Sequence, residues 1–382
     1  MSKRIVTIFA NDGINEVVLF KDVGGIPYAL AKYCGWEATF VYNDTNGIIH
    51  NEEYERYVKL VPLSLKKNIK IIKSRYIRFF PIIKYIYKNV KKYDVINFYH
   101  SHEFTNFLCW LAKKINPKII TYVKLDMDEA DFQYQKERDR HSLMVKTWSN
   151  TDVFTVETLN YVDELNKLKK YNKKVKYLPN GFFSDLVDID LSNIKKEKII
   201  LTVGRLGTYQ KNTELLIESL INIEEEIKDW EIYLVGPITN EFKVWLNEKL
   251  IDHQLLKEKI VITGNIVDKV ELYKIYAKAS VFVLCSRYES WGLVLTEALH
   301  FSDFVIVTDC CKAFHDILLT EKDKLGVIIE NQNVEALSNA ICDSIINIKK
   351  NMHIAQKGKI FVDNNLNWNV VVKNLENYFM IK

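Results

Sequence analysis

Ten short runs rich in β-branched and aromatic residues recur along this chain, at 5–9, 39–42, 95–99, 119–123, 153–155, 199–203, 231–235, 260–263, 281–284 and 304–307. Longer amphipathic segments separate them. Parallel strands cannot be joined by a tight turn and need a crossover, usually helical, so this alternation predicts repeated βαβ units around parallel sheets. Five runs fall on each side of Ser184-Asp185-Leu186-Val187-Asp188-Ile189-Asp190, an acidic, weakly periodic stretch that reads as a link. A chain of 382 residues with 48% hydrophobic content fits two cores better than one. The expected fold class is α/β: two doubly wound Rossmann-like domains, 1–185 and 190–364, facing a central crevice, with a last helical segment over 365–382.

Composition narrows the partners. The formal net charge is only +4, so the molecule as a whole is not built to bind nucleic acid. No run reaches the roughly 18 apolar residues of a membrane span. The first residues, Met1-Ser2-Lys3-Arg4-Ile5, enter a strand at once instead of a signal peptide, and a cytoplasmic protein is expected. The six cysteines, at 34, 109, 285, 310, 311 and 342, lack paired metal spacing and read as free thiols.

The stretch Ser286-Arg287-Tyr288-Glu289-Ser290-Trp291-Gly292-Leu293-Val294-Leu295-Thr296-Glu297-Ala298 follows the run at 281–284 and carries the most chemistry. A buried strand passes through a glycine turn into a helix, whose first free N–H groups favour a phosphate. Glu289 lies in the loop and Glu297 one turn inside the helix. Carboxylates accept charge-assisted hydrogen bonds from hydroxyls, so the pattern suits a ligand with both a diphosphate and a polyol, such as a nucleotide-sugar. Arg205 and Lys211 follow the first strand of the second half, at a βα turn where doubly wound folds bind ligands, and match a diphosphate. Such cations would stabilise charge growing on the leaving nucleoside diphosphate.

The segment resembles the signature of retaining glycosyltransferases of the GT-B fold, in family four of that classification, with a glutamate, seven residues and a second glutamate. Gly204-Arg205-Leu206, Lys211-Asn212, Tyr177-Leu178-Pro179-Asn180-Gly181-Phe182, Leu234-Val235-Gly236, Thr263-Gly264-Asn265-Ile266, Leu272 and Tyr276 resemble the same family's C-terminal half. The resemblance implies that Glu297 holds the ribose, Glu289 the sugar hydroxyls, and the backbone of Ser290, Trp291, Gly292, Leu293 and Val294 the phosphates. Gly264 and Ile266 would flank the base, with uracil expected, and Asn180 would touch substrate. It also implies retention of configuration, with the leaving phosphate taking the acceptor proton, and a closing helix that returns to the first domain. No metal or other cofactor is expected.

On the acceptor side, Lys21-Asp22-Val23-Gly24-Gly25-Ile26-Pro27-Tyr28 puts two glycines ahead of a helix expected over 28–33. Gly24 and Gly25 would let backbone approach a ligand, and Asp22 would orient the acceptor or cap the helix. Where the family often has a histidine, this chain reads Lys124-Leu125-Asp126-Met127-Asp128. Asp126 is the candidate to replace it, with Lys124 beside it. Asp126 and Asp128 also spell a pattern that holds a divalent metal in another glycosyltransferase fold. His100, His102 and Glu157 stand at neighbouring strand ends as further candidates.

Residues 64–93 carry ten Lys or Arg and no Asp or Glu, interleaved with Ile, Tyr and Phe. This suits an anionic membrane surface; the competing reading is an inward apolar face under solvated cations. Pro81 argues against one continuous helix. The expectation is a metal-independent transferase moving a hexose or N-acetylhexosamine from a UDP-sugar to a glycan or lipid-linked glycan, peripheral at the inner membrane face, with no nucleic-acid partner. An epimerase on the same fold and a non-catalytic sugar-nucleotide or membrane-binding protein are the rival readings.

Overall fold

The computed structural model describes residues 2–10, 14–45, 47–64, 79–99, 103–137, 148–186, 194–330 and 332–380. The chain divides into two compact units, one made of 1–181 and 368–382, the other of 182–367. These bounds differ by a few residues from those expected, 1–185, 190–364 and 365–382.

The first unit holds a seven-stranded sheet: β1 Arg4–Phe9, β2 Glu37–Asn43, β3 Val58–Leu63, β4 Val95–Tyr99, β5 Ile120–Leu125, β6 Val153–Val156 and β7 Val175–Tyr177. The spatial order is β3-β2-β1-β4-β5-β6-β7, and every pairing among the described residues is parallel. The second unit repeats the plan with β8 Ile199–Val203, β9 Glu231–Val235, β10 Ile260–Gly264, β11 Val281–Leu284, β12 Phe304–Thr308 and β13 Gly326–Ile329. Its order is β10-β9-β8-β11-β12-β13, again parallel. Both are Rossmann-like sheets that reverse direction once, between β1 and β4 and between β8 and β11. Such switch points leave a crevice at the strands' carboxyl ends where ligands bind.

The central strands are buried on both faces: β4, β8, β11 and β12 consist wholly of buried residues. That is why their sequences are near-continuous apolar runs, broken only by the buried Asn97, Thr202 and Thr308. β3, β7 and β13 were not among the ten expected runs. All three are sheet edges and only partly buried, and β3 carries Lys59 and Pro62, as an edge permits.

One expectation about a helix needs correction. The helix expected over 28–33 begins six residues earlier, as Asp22–Cys34, and takes Gly24, Gly25 and Pro27 into its body. A Cβ on Gly24 would strike the Leu19 carbonyl oxygen of the neighbouring helix Glu16–Phe20, so close helix packing, not a loop, explains that glycine. Pro81 lies inside a helix, while residues 65–78, through which one continuous helix would have to run, lie outside the described residues. Phe79–Asn89 starts two residues before Pro81, and a proline in a first turn lacks only an N–H that has no intrahelical partner.

The helix Trp368–Met380 belongs to the first unit. There Trp36 Nε1 donates to Glu376 Oε1 at 3.0 Å, Lys3 pairs with Glu376 at 3.3 Å, and Phe379 packs on Trp36 and Tyr122.

Candidate active site

In the second unit the loops after β8 and β11, the two strands at the switch point, meet. Lys211 from the first forms an ion pair with Glu289 from the second, both largely buried. Ser286 Oγ donates to the same Glu289 oxygen at 2.7 Å. Gln210 fastens the two loops further: its carbonyl accepts from Arg287 N at 2.7 Å, its Nε2 donates to the Tyr288 carbonyl at 3.2 Å, and its Oε1 accepts from Arg205. Arg287 also lies over the Tyr209 ring at 4.4 Å. Arg205, Lys211 and Glu289, expected as catalytic residues, thus share one edge of one sheet.

Gly292 turns the chain at φ 80° into the helix Leu293–His300, with no side-chain cap on its first N–H groups. A Cβ there would meet the Phe314 ring at 2.8 Å. Helix starts left open in this way carry partial positive charge. One turn in, Glu297 accepts from Tyr276 Oη at 3.1 Å and from Lys269 Nζ at 3.3 Å. Trp291 is buried with its Nε1 unpartnered among the described residues, and the Ser290 carbonyl accepts from Cys311 Sγ at 3.3 Å. Gly264 ends β10 at φ 72° with open space around its Cα, whereas Ile266 packs against the core.

In the first unit, five ionisable side chains gather at the carboxyl ends of β4, β5 and β6 and the start of Asp22–Cys34. Tyr99 Oη, at the end of β4, lies 2.7 Å from Asp22 Oδ2 and 3.2 Å from Asp126 Oδ2. Fully buried Lys124 donates to Glu157 Oε2 at 2.7 Å and to the Leu125 carbonyl at 3.1 Å. Glu157 Oε1 accepts from Met127 N at 2.7 Å. The turn carrying Asp126 is therefore clamped from beneath, and Asp126 Oδ1 is a buried acceptor with no partner among the described residues. Burial, then the Asp126 charge, pushes Asp22 up to about 6. Burial likewise pushes Glu157 up to about 7 against the pull of Lys124. For Lys124 burial acts downward, but Glu157, Asp22 and Asp126 together hold it above the usual lysine value.

Several residues take other places than expected. Glu157, a further candidate at its strand end, is the counter-ion of Lys124. Asp128 Oδ1 accepts from Asp131 N at 2.9 Å as the cap of Glu129–Glu137, which accounts for the second acid of the Asp126–Asp128 pattern. Asn180 is buried after β7, with Oδ1 unpartnered among the described residues. His100 and His102 lie outside the described residues. Tyr99 and Gln210 were not singled out in the sequence. Tyr99 sits at a strand end and so carried a positional signal; Gln210 carried none.

Residues 188–361 match the family described as glycosyl transferases group 1, nearly the whole second unit. That match lies within the second unit, and the two Rossmann-like units have the GT-B architecture. It is 28% identical over 202 residues to the mannosylfructose-phosphate synthase of Agrobacterium fabrum, covering 48% of this chain and 43% of the synthase, less than half its length. It is 28% identical over 294 residues to a Campylobacter jejuni GalNAc-alpha-(1->4)-GalNAc-alpha-(1->3)-diNAcBac-PP-undecaprenol alpha-1,4-N-acetyl-D-galactosaminyltransferase, covering 70% of this chain and 74% of that one. Its fold superposes on Anabaena HepE in complex with UDP with a TM-score of 0.69, over 99% of each chain at 13% identity, a likeness of fold alone.

Proposed function

We propose that the protein transfers a hexose or N-acetylhexosamine from a UDP-sugar, with retention of configuration and without a metal, to a lipid-linked glycan of a bacterial surface polymer, as a peripheral enzyme on the cytoplasmic side of a membrane. The observation that carries this reading is the Lys211–Glu289 pair at the switch point, beside Arg205 and the uncapped start of Leu293–His300. Carboxylate, cations and free N–H groups within one cluster suit a sugar diphosphate better than either half alone. UDP as the carrier draws support from HepE, and a lipid-linked acceptor from the undecaprenol in the Campylobacter relative's name.

In this reading Glu289 accepts hydroxyls of the transferred sugar and Glu297 those of the ribose. The bond from the anomeric carbon to the diphosphate oxygen breaks, the acceptor oxygen bonds to that carbon on the same face, and the acceptor proton passes to the departing phosphate. Arg205, Lys211 and the N–H groups at Leu293 and Val294 stabilise the growing negative charge, so no side chain need act as base. Asp126 Oδ1, buried and unpartnered among the described residues, receives a substrate hydroxyl; a hydrogen bond made there satisfies a group that is otherwise costly to bury.

The test is nucleoside diphosphate release from UDP-, GDP- and ADP-sugars in EDTA, with and without bacterial glycolipid extract. Release from a UDP-sugar that persists in EDTA and rises with extract is the expected result. Dependence on a divalent metal would overturn the metal-free mechanism, and nucleotide binding without release would overturn the transferase itself.

A further inference from the structure

We propose that the outer faces of the helices Phe79–Asn89 and Glu103–Ile115 form one docking surface for an anionic bilayer. The inner faces explain why the outer ones are contiguous. Phe79, Ile82, Ile86 and Val90 share one core cluster with Leu108, Cys109 and Ala112, so both helices cover the same face of the first sheet. They touch through the Phe79 and Phe104 rings, with centroids 4.0 Å apart.

What each helix turns outward is alike. On the first, Phe80 is 65% and Tyr87 73% exposed, with exposed Lys84 and Lys88 at helical spacing between and beside them. On the second, Phe107 and Trp110 are 39% and 40% exposed, one turn apart with stacked rings at 5.6 Å, and Lys114 follows one turn on. A ring series runs from buried Phe79 through Phe104 and Phe107 to Trp110 at the surface. Large exposed aromatics held by neighbours in this way lie ready for an apolar phase, since leaving them in water gains nothing. The flanking charge selects the phase. No Asp or Glu occurs over 64–93, and the only acid in Glu103–Ile115 is its first residue. Aromatic rings at headgroup depth with lysines reaching outward fit an anionic lipid surface, where each lysine adds attraction that salt screens.

This inference takes its purpose from the lipid-linked acceptor proposed above, but vesicle binding is read without any sugar, so the two can fail separately. The full chain is sedimented with vesicles of phosphatidylglycerol and phosphatidylcholine or of phosphatidylcholine alone, at low and high salt. The variants are Lys84→Glu with Lys88→Glu, and Phe107→Ser with Trp110→Ser, all at exposed positions. We expect binding to anionic vesicles only, weakened at least about tenfold by the lysine pair at low salt. The aromatic pair should abolish whatever binding survives high salt. Both variants should release nucleoside diphosphate as fast as the parent in the absence of lipid. Equal binding to both vesicles, or binding unchanged in both variants, would overturn the proposal; the latter would transfer the attraction to the basic residues before Phe79.

Discussion

Glu289 and Lys211 satisfy one another, so in the proposed reading a sugar diphosphate must divide a pair that is already made. Each residue alone is then a poor unit of account. Removing Lys211 leaves Glu289 largely desolvated without its counter-charge, and removing Glu289 frees Lys211 to drift from the diphosphate. Lys211→Ala and Glu289→Ala should each lower kcat on the order of a hundredfold or more, while the double variant should lose no more than about tenfold beyond the worse single. Steady-state rates of the four proteins test this; losses that multiply would show two independent contributions. Asp22 invites a different measurement. Its carboxyl titrates near 3.8 when unfolded and about 6 when folded, so across that window the folded chain keeps a proton that the unfolded chain releases. Stability from this group is therefore complete below about pH 4 and is lost as pH rises to about 6. Asp22→Asn, which still offers an oxygen to Tyr99, should reduce the fall in unfolding free energy between acid and neutral pH by on the order of 2 kcal/mol. Urea titrations at pH 4.5 and 7 would reveal it, and identical falls in both proteins would show that Asp22 ionises without penalty. Asp22, Asp126, Arg205, Lys211 and Glu289 were all legible, because carboxylates and cations after apolar runs stand out. Tyr99 and Gln210 were not, since their importance lies in which loops the sheet brings together.

At the scale of elements, legibility follows burial. β4, β8 and β11 were read to the residue because continuous burial demands a mostly apolar sequence, whereas the edge strands β3, β7 and β13 mix exposed and buried positions and look like loops. The helix Asp22–Cys34 was cut short for a related reason: glycine's helix penalty is local, and the packing against Glu16–Phe20 that outweighs it is tertiary. Within the basic stretch 64–93, the described helix Phe79–Asn89 turns Ile82 and Ile86 to the core and Phe80 and Tyr87 outward, so an inward apolar face and an outward basic one alternate along it and neither reads alone in the sequence. Gly236 shows how strictly an element end can be set. It follows β9 at φ 129°, its N–H donates to the Gly264 carbonyl at 2.9 Å, and a Cβ there would overlap the Gly204 carbonyl oxygen. Neither the dihedral nor the neighbouring backbone tolerates a side chain. Gly236→Ala should destabilise the protein by about 3 kcal/mol or more and displace the loop carrying Arg205 and Lys211. Chemical denaturation together with nucleotide affinity would check both effects; a wild-type midpoint would mean that the turn relaxes freely.

The whole chain is two sheets of one plan, and its C-terminal end is spent on the first of them. Trp368, Val371, Val372, Leu375 and Phe379 are all buried in that unit, where Gly181 leaves room for the Trp368 indole and Tyr378 Oη donates to the Tyr177 carbonyl at 2.9 Å. Five buried apolar side chains at roughly 1.5–3 kcal/mol each amount to most of the stability of an ordinary domain, even after allowing for a compact unfolded state. The first unit is then complete only when residues 368–380 have been made, although its sheet is finished by Tyr177. The second unit, 182–367, has no such debt to the terminus. Deleting residues 368–382 should accordingly abolish or sharply lower the unfolding transition of the first unit while leaving that of the second near its parent temperature. Differential scanning calorimetry would separate the two, with UDP added to raise whichever transition belongs to the donor-binding unit. If the truncated chain instead loses both transitions together, the second unit draws its stability from the first and the two fold as one.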